Sequence, residues 1–234
     1  MRRILGIGAF LMLGAAGAAQ AGVTGTVTAA SDYDFRGISL SAKDPALQAS
    51  IDYANDSGFY AGIWGSNVDF SGYGLDESVE IDYYLGYTFG PKDGPTYELA
   101  FVYYTDPGTN VKIDYAEPHI GVTYKWFNAK LWYAWDYGNT SQSAEYIEGN
   151  GTFALPQDFA VVAHAGYAWG DYWKSFNGEY FDYSIGVTKS FGHFNFALKF
   201  IDGSDAVYDH SSDTYSGDSK VWLSVATTFP WSKE

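Results

Sequence analysis

The sequence contains no cysteine, which excludes a disulfide framework, a thiol nucleophile and a cysteine-anchored lipoprotein. Basic residues are scarce: 13 Lys and Arg stand against 28 Asp and Glu, a formal net charge of −15. That balance argues against nucleic acid as a partner, because binding it depends on Lys and Arg neutralising phosphates. After residue 21 there is no long apolar run, so nothing beyond that point can cross a bilayer as a helix, which takes about 20 apolar residues. There is also no linker, low-complexity tract or second domain. The 27 glycines are scattered through the chain with no phosphate-binding spacing.

The one apolar run lies at the start. Met1-Arg2-Arg3 is a short basic opening, Ile4 to Ala18 is almost wholly apolar or small, and Ala19-Gln20-Ala21 has the small-x-small form of a signal peptidase site. Residues 1–21 therefore read as a cleaved secretory signal, leaving 234 − 21 = 213 residues from Gly22 onward. Without Arg2 and Arg3 the formal charge becomes 11 − 28 = −17.

What the chain has in abundance is aromatic rings, 21 Tyr, 16 Phe and 8 Trp. A soluble core of this size draws more on Leu, Ile and Val, whereas Tyr and Trp suit a surface that is apolar at one end and wet at the other. These rings follow a two-residue period. In Val79 to Phe89 the odd positions Val79, Ile81, Tyr83, Leu85, Tyr87 and Phe89 are apolar, against Glu80, Asp82, Tyr84, Gly86 and Thr88. Tyr97-Leu99-Phe101-Tyr103, Phe181-Tyr183-Ile185-Val187, Phe194-Phe196-Leu198-Phe200 and Val221-Leu223-Val225 repeat it. Successive side chains of a strand point to opposite faces, so each segment has one greasy and one polar face.

Breaks at Gly, Pro, Asn and Asp clusters predict strands near 23–36, 46–54, 59–69, 78–89, 96–104, 115–125, 129–137, 143–153, 159–169, 180–191, 194–202 and 219–229. The count is twelve, with ten or fourteen still open. Short connections alternate with longer polar ones, except near Gly138 to Gln142. Phe59, Phe89, Trp126, Phe127, Phe153, Phe159, Phe191, Phe194 and Phe229 fall beside the short turns or the last strand, as a membrane-interface belt would. The expected fold is all-β: an antiparallel up-and-down transmembrane β-barrel spanning residues 22–234, with nothing left over for a plug.

The segments "SDYDFRGISLS" at 31–41, "PALQASIDY" at 45–53 and "SGFYAGIWGSNVDF" at 57–70 resemble the N-terminal signature of the TorF family of porin-like bacterial outer-membrane proteins. Beyond about residue 90 the likeness is one of pattern and strand length. The resemblance implies a barrel and a channel, and brings no substrate or functional residues with it. Outer-membrane barrels of this kind usually stop at an aromatic residue, whereas here Phe229 is followed by Pro-Trp-Ser-Lys-Glu234.

The alternation sets candidate lumen residues. Tyr33 and Phe35 are expected to face lipid while Asp32, Asp34 and Arg36 line the mouth. Asp52, Glu80, Asp82, Glu98, His119, Lys130, His164 and Lys199 point inward as well, joined by Gln48, Ser50, Glu117, Lys125 and Asp182. Such an acid-rich, mixed-charge lumen fits passive diffusion of ions or small polar solutes, with cations favoured. The same charges could instead pair across a narrow, non-conducting barrel that serves as a structural or adhesive surface protein through its long loops. Outer-membrane lipid and, during biogenesis, the barrel-assembly machinery are the other expected partners. No nucleophile and orienting partner accompany His119, His164, His193 or His210, so no enzyme is expected. The acidic stretch Asp202 to Asp213 lacks EF-hand spacing and reads as a solvated loop; no metal or cofactor is expected.

Overall fold

A computed structural model describes residues 22–76, 78–176, 178–204 and 213–231. The expected signal at 1–21 lies outside them, as does most of the acidic stretch beyond Ser204. The strands are β1 (Gly22–Ala30), β2 (Asp34–Phe35), β3 (Ile38–Ser39), β4 (Ala46–Ala54), β5 (Phe59–Asn67), β6 (Val79–Phe89), β7 (Thr96–Thr105), β8 (Tyr115–Tyr124), β9 (Phe127–Ala134), β10 (Ala144–Ala154), β11 (Phe159–Trp169), β12 (Tyr180–Phe191), β13 (Phe194–Gly203) and β14 (Lys220–Phe229). Twelve of them, β1 and β4 to β14, form a closed antiparallel barrel in which each strand pairs with its neighbours in sequence. β1 closes on β14, from Gly25 opposite Phe229 to Ala30 opposite Ser224. Closure satisfies every strand edge, a requirement where no water can hydrogen-bond the backbone.

The period-two pattern sorts side chains as expected. Leu85, Leu99, Ile185 and Leu198 on the outside are each at least half exposed, while Glu80, Asp82, Glu117 and Asp182 between them are buried within the barrel. The rings beside the short turns are outward too: Phe89, Trp126, Phe127, Phe153, Phe194 and Phe229 are exposed at one rim. There Trp126 packs on Phe153 with centroids 4.8 Å apart, and Trp231, beyond the last strand, stacks on Phe229 at 4.9 Å.

The region around β9 and β10 differs from expectation. The strand expected over 129–137 runs over 127–134, because Lys125 adopts φ 57° and closes a tight turn with Trp126, while Tyr137 to Asn139 coil into a 3-10 turn. Lys125 is thereby exposed in the turn and does not line the lumen. The connection to β10 becomes 135–143, so the expected exception to the short-and-long alternation disappears: every connection at the second rim is long. Strand 143–153, whose glutamates and glycines interrupt its apolar face, forms a regular β10.

The largest correction concerns the first strand. It ends at Ala30, and residues 31–45 fold back into the barrel as a hairpin built on β2 and β3. Tyr33 and Phe35 face the interior, not lipid: Tyr33 packs edge-on against Trp64 of β5 and Phe35 against Tyr104 of β7. Ile38 and Leu40 are buried with them. The barrel therefore does hold a plug, made from its first long loop. The chain bends off the wall at Ser31 and Asp32 and turns back on itself at Arg36 (φ 55°) and Gly37 (φ 82°), both left-handed.

Candidate functional site: the lumen and its inserted hairpin

Two tiers of polar groups occupy the interior. The outer tier is built around the hairpin. Lys220 of β14 pairs with Asp32 at 2.6 Å and Asp34 at 2.9 Å. Ser39 and Ser41 donate to the same Asp32 carboxylate oxygen, and the Trp222 indole donates to the Asp32 carbonyl. Tyr33 donates to Glu80 of β6 at 2.5 Å. Arg36 reaches Glu117 of β8 with both guanidinium nitrogens, at 2.9 and 2.7 Å, and Tyr104 donates to the same carboxylate. The hairpin backbone also joins the loop that leads into β14: Ser39 and the 215–216 stretch exchange amide–carbonyl bonds. Asp82 is buried nearby, with Oδ1 unpartnered among the described residues.

The inner tier lies toward the short-turn rim. Glu98 of β7 gathers Lys130 of β9 at 2.9 Å, His119 of β8 at 3.2 Å and the Tyr60 hydroxyl at 2.6 Å. Asp52 of β4 accepts from Tyr84 and from Ser50. Lys199 of β13 lies over the Trp222 ring, 4.6 Å from its centroid. A third cluster links the tiers: His164 of β11 contacts Asp182 of β12 at 2.8 Å and Asn150 of β10 at 2.7 Å, and Tyr146 donates to Asp182. Buried charge is costly unless paired and hydrogen-bonded, and most of these carboxylates meet that condition.

The candidates are thus inside the barrel but do not form one ring. Glu98, His119 and Lys130 are joined, as are Asp32 and Asp34 through Lys220. Arg36 meets Glu117, His164 meets Asp182, and Glu80, Asp52 and Lys199 belong to separate contacts. Glu148, Asn150 and Lys220 were not anticipated as lumen residues, although they share the inward parity of Tyr146 and Trp222; the interruptions in β10 obscured it. Also unanticipated is how many inward residues are rings: Trp132, Tyr104, Tyr146 and Tyr180 are almost fully buried.

Glycines let some of these rings lie flat on the wall. Gly62 sits opposite Tyr84, and Gly86 opposite Tyr60. A Cβ on Gly62 would come 2.5 Å from the Tyr84 ring, and one on Gly86 would collide with Tyr60 in the same way. Each tyrosine therefore lies across its glycine and extends its hydroxyl to a carboxylate, Tyr84 to Asp52 and Tyr60 to Glu98.

An apolar outer wall, an interior of polar and titratable side chains and full closure define a transmembrane β-barrel of the outer-membrane type. The chain belongs to the Gcw_chp family, bacterial proteins of unknown function, whose model matches residues 14–229. Among solved structures it is similar in fold to the KdgM porin (8% identity, TM-score 0.58, 88% of this chain and 99% of that one). It is likewise similar to the NanC porin (8%, 0.58, 89% and 100%) and to an outer membrane channel from Pseudomonas putida F1 (9%, 0.54, 94% and 99%). No curated protein matches the sequence.

Proposed function

We propose that the protein is a channel of the bacterial outer membrane, exported by its first 21 residues, for passive diffusion of ions and small polar solutes. The observation that carries this reading is the two-faced wall: a lipid-compatible exterior around an interior rich in carboxylates, lysines and histidines. The likeness of residues 31–70 to the TorF family and the porin fold of the structural neighbours support it. Carboxylates outnumber cationic groups in the lumen. In the strands Asp52, Glu80, Asp82, Glu98, Glu117, Glu148 and Asp182 face Lys130, Lys199 and Lys220, so cations are the favoured traffic. Long loops at the outer rim and short turns at the inner one fit the usual orientation.

One observation favours the second reading, a barrel that conducts little: the hairpin fills the outer half with Tyr33, Phe35, Ile38 and Leu40. Planar-bilayer recording of the purified, folded protein separates the two. Discrete single-channel steps support the channel, and their absence in both the native protein and a variant lacking residues 32–43 supports the closed barrel.

A further inference from the structure

The residues that hold Arg36 form a site in their own right, because all but one come from the barrel wall and would remain if the hairpin withdrew. Glu117 is fully buried and presents both oxygens to the guanidinium in a fork-on-fork arrangement, with Tyr104 donating to one of them at 3.1 Å. The guanidinium carbon lies 4.3 Å from the Tyr146 ring centroid and 5.2 Å from that of Trp132; the ring from the hairpin itself, Phe35, is at 4.8 Å. The two wall rings are also primed for a cation. The Trp132 indole N–H donates to Glu148 at 2.8 Å and the Tyr146 hydroxyl donates to Asp182 at 2.8 Å, which pushes electron density into each π face. A buried carboxylate of bidentate geometry flanked by electron-rich ring faces selects a planar, delocalised cation over a compact, strongly hydrated one.

Arg36 reaches this place in a backbone conformation that a residue with a side chain adopts at a cost, φ 55°. The occupant is thus strained, which offsets part of the advantage that its tether gives it over a free competitor.

We infer that the wall carries a binding site for guanidinium-bearing or similarly delocalised organic cations, which Arg36 fills as a built-in mimic of the solute. A solute with that group competes for Glu117, Trp132 and Tyr146, releases the hairpin and opens its own path. The inference deepens the channel reading and rests on it for the route of the solute, but the site itself is a matter of binding.

The test uses full-length protein in detergent and methylguanidinium as the probe. In Arg36→Ala the vacated site should take methylguanidinium, giving a saturable rise in melting temperature and a change in Trp132 fluorescence, with an apparent affinity at least tenfold above that of the native protein. Sodium at equal ionic strength should do neither, and adding Glu117→Gln should abolish both. Arg36→Met, which keeps the packed stem, is read in the same way if the alanine variant folds poorly. In the unmodified protein the probe should speed amide exchange of residues 32–41, an outcome that needs no variant. The inference is overturned by a folded Arg36 variant that shows no saturable response, by a response that survives Glu117→Gln, or by hairpin exchange indifferent to the probe. Binding without conductance would remove the channel reading and leave the site standing, and conductance without binding would do the reverse.

Discussion

Gly37, at the tip of the inserted hairpin, lies so close to Asp182 of β12 that a Cβ on the glycine would stand 2.7 Å from the Cβ of the aspartate. With Arg36 held by Glu117 of β8, five strands round the ring from β1, the first loop spans the bore and does not merely lean into it. Gly37 also has φ 82°, a conformation that costs any residue with a side chain.

Gly37→Val should accordingly drive the hairpin away from β12. Strain of about 1–3 kcal/mol is expected from the backbone alone, enough to outweigh one or two of the hairpin's hydrogen bonds. The readouts are an increase in single-channel conductance and faster proteolysis within 31–45. A variant with unchanged conductance and an intact loop would mean that the hairpin tip tolerates the side chain.

Glu98 holds the buried Lys130 ammonium at 2.9 Å, so its charge matters more than its shape. Glu98→Gln takes away the carboxylate 2.9 Å from buried Lys130 and leaves it only Glu148's charge on the neighbouring strand to lean on, so the barrel should lose about 1–3 kcal/mol, and Glu98→Gln with Lys130→Met should recover most of that loss. Urea unfolding in lipid vesicles measures both. Equal stability of the single and double variants would show that the pair is not coupled.

The excess of inward carboxylates predicts cation preference. Under a potassium chloride gradient the reversal potential should carry the sign of cation selectivity, and Asp52→Asn should move it toward zero without abolishing conductance. A potential of the opposite sign would mean that Lys130, Lys199 and Lys220 govern the narrowest level.

Ile185 is more than half exposed on the outer face near the middle of β12. Ile185→Arg should cost about 2–4 kcal/mol in a bilayer, the penalty for a cation at the midplane of the lipid face. Vesicle unfolding checks it, with Phe191→Arg at the short-turn rim as the contrast, where the cost should fall to about 1 kcal/mol or less. Similar losses at the two positions would place the lipid boundary elsewhere.

Period-two alternation made the barrel legible. Leu99, Tyr183 and Leu198 could be assigned outward from the sequence because, in a strand, the direction of a side chain follows from its index alone, and burial in lipid enforces the same parity along the whole segment. The strand bounds 46–54, 159–169 and 180–191 were readable for the same reason, and Glu98, His119 and Lys130 could be placed inward, though not joined to one another. The parity argument failed at Tyr33 and Phe35. They obey the alternation over 31–36 as well as any strand does, but the chain bends off the wall at Ser31 and Asp32, before either ring, and periodicity does not mark that event.

The sequence by itself pointed to a barrel of about twelve strands and, within those strands, to which side chains meet lipid and which meet the interior, since these depend only on local geometry and the solvent on each face. Tertiary structure alone decided what the interior does. Which carboxylate meets which cation depends on the stagger of neighbouring strands, and the plug exists because residues 31–45 can bury their rings and satisfy their charges against strands as distant in the chain as β8, β12 and β14. Such contacts are set by closure of the barrel, and no window of sequence contains them.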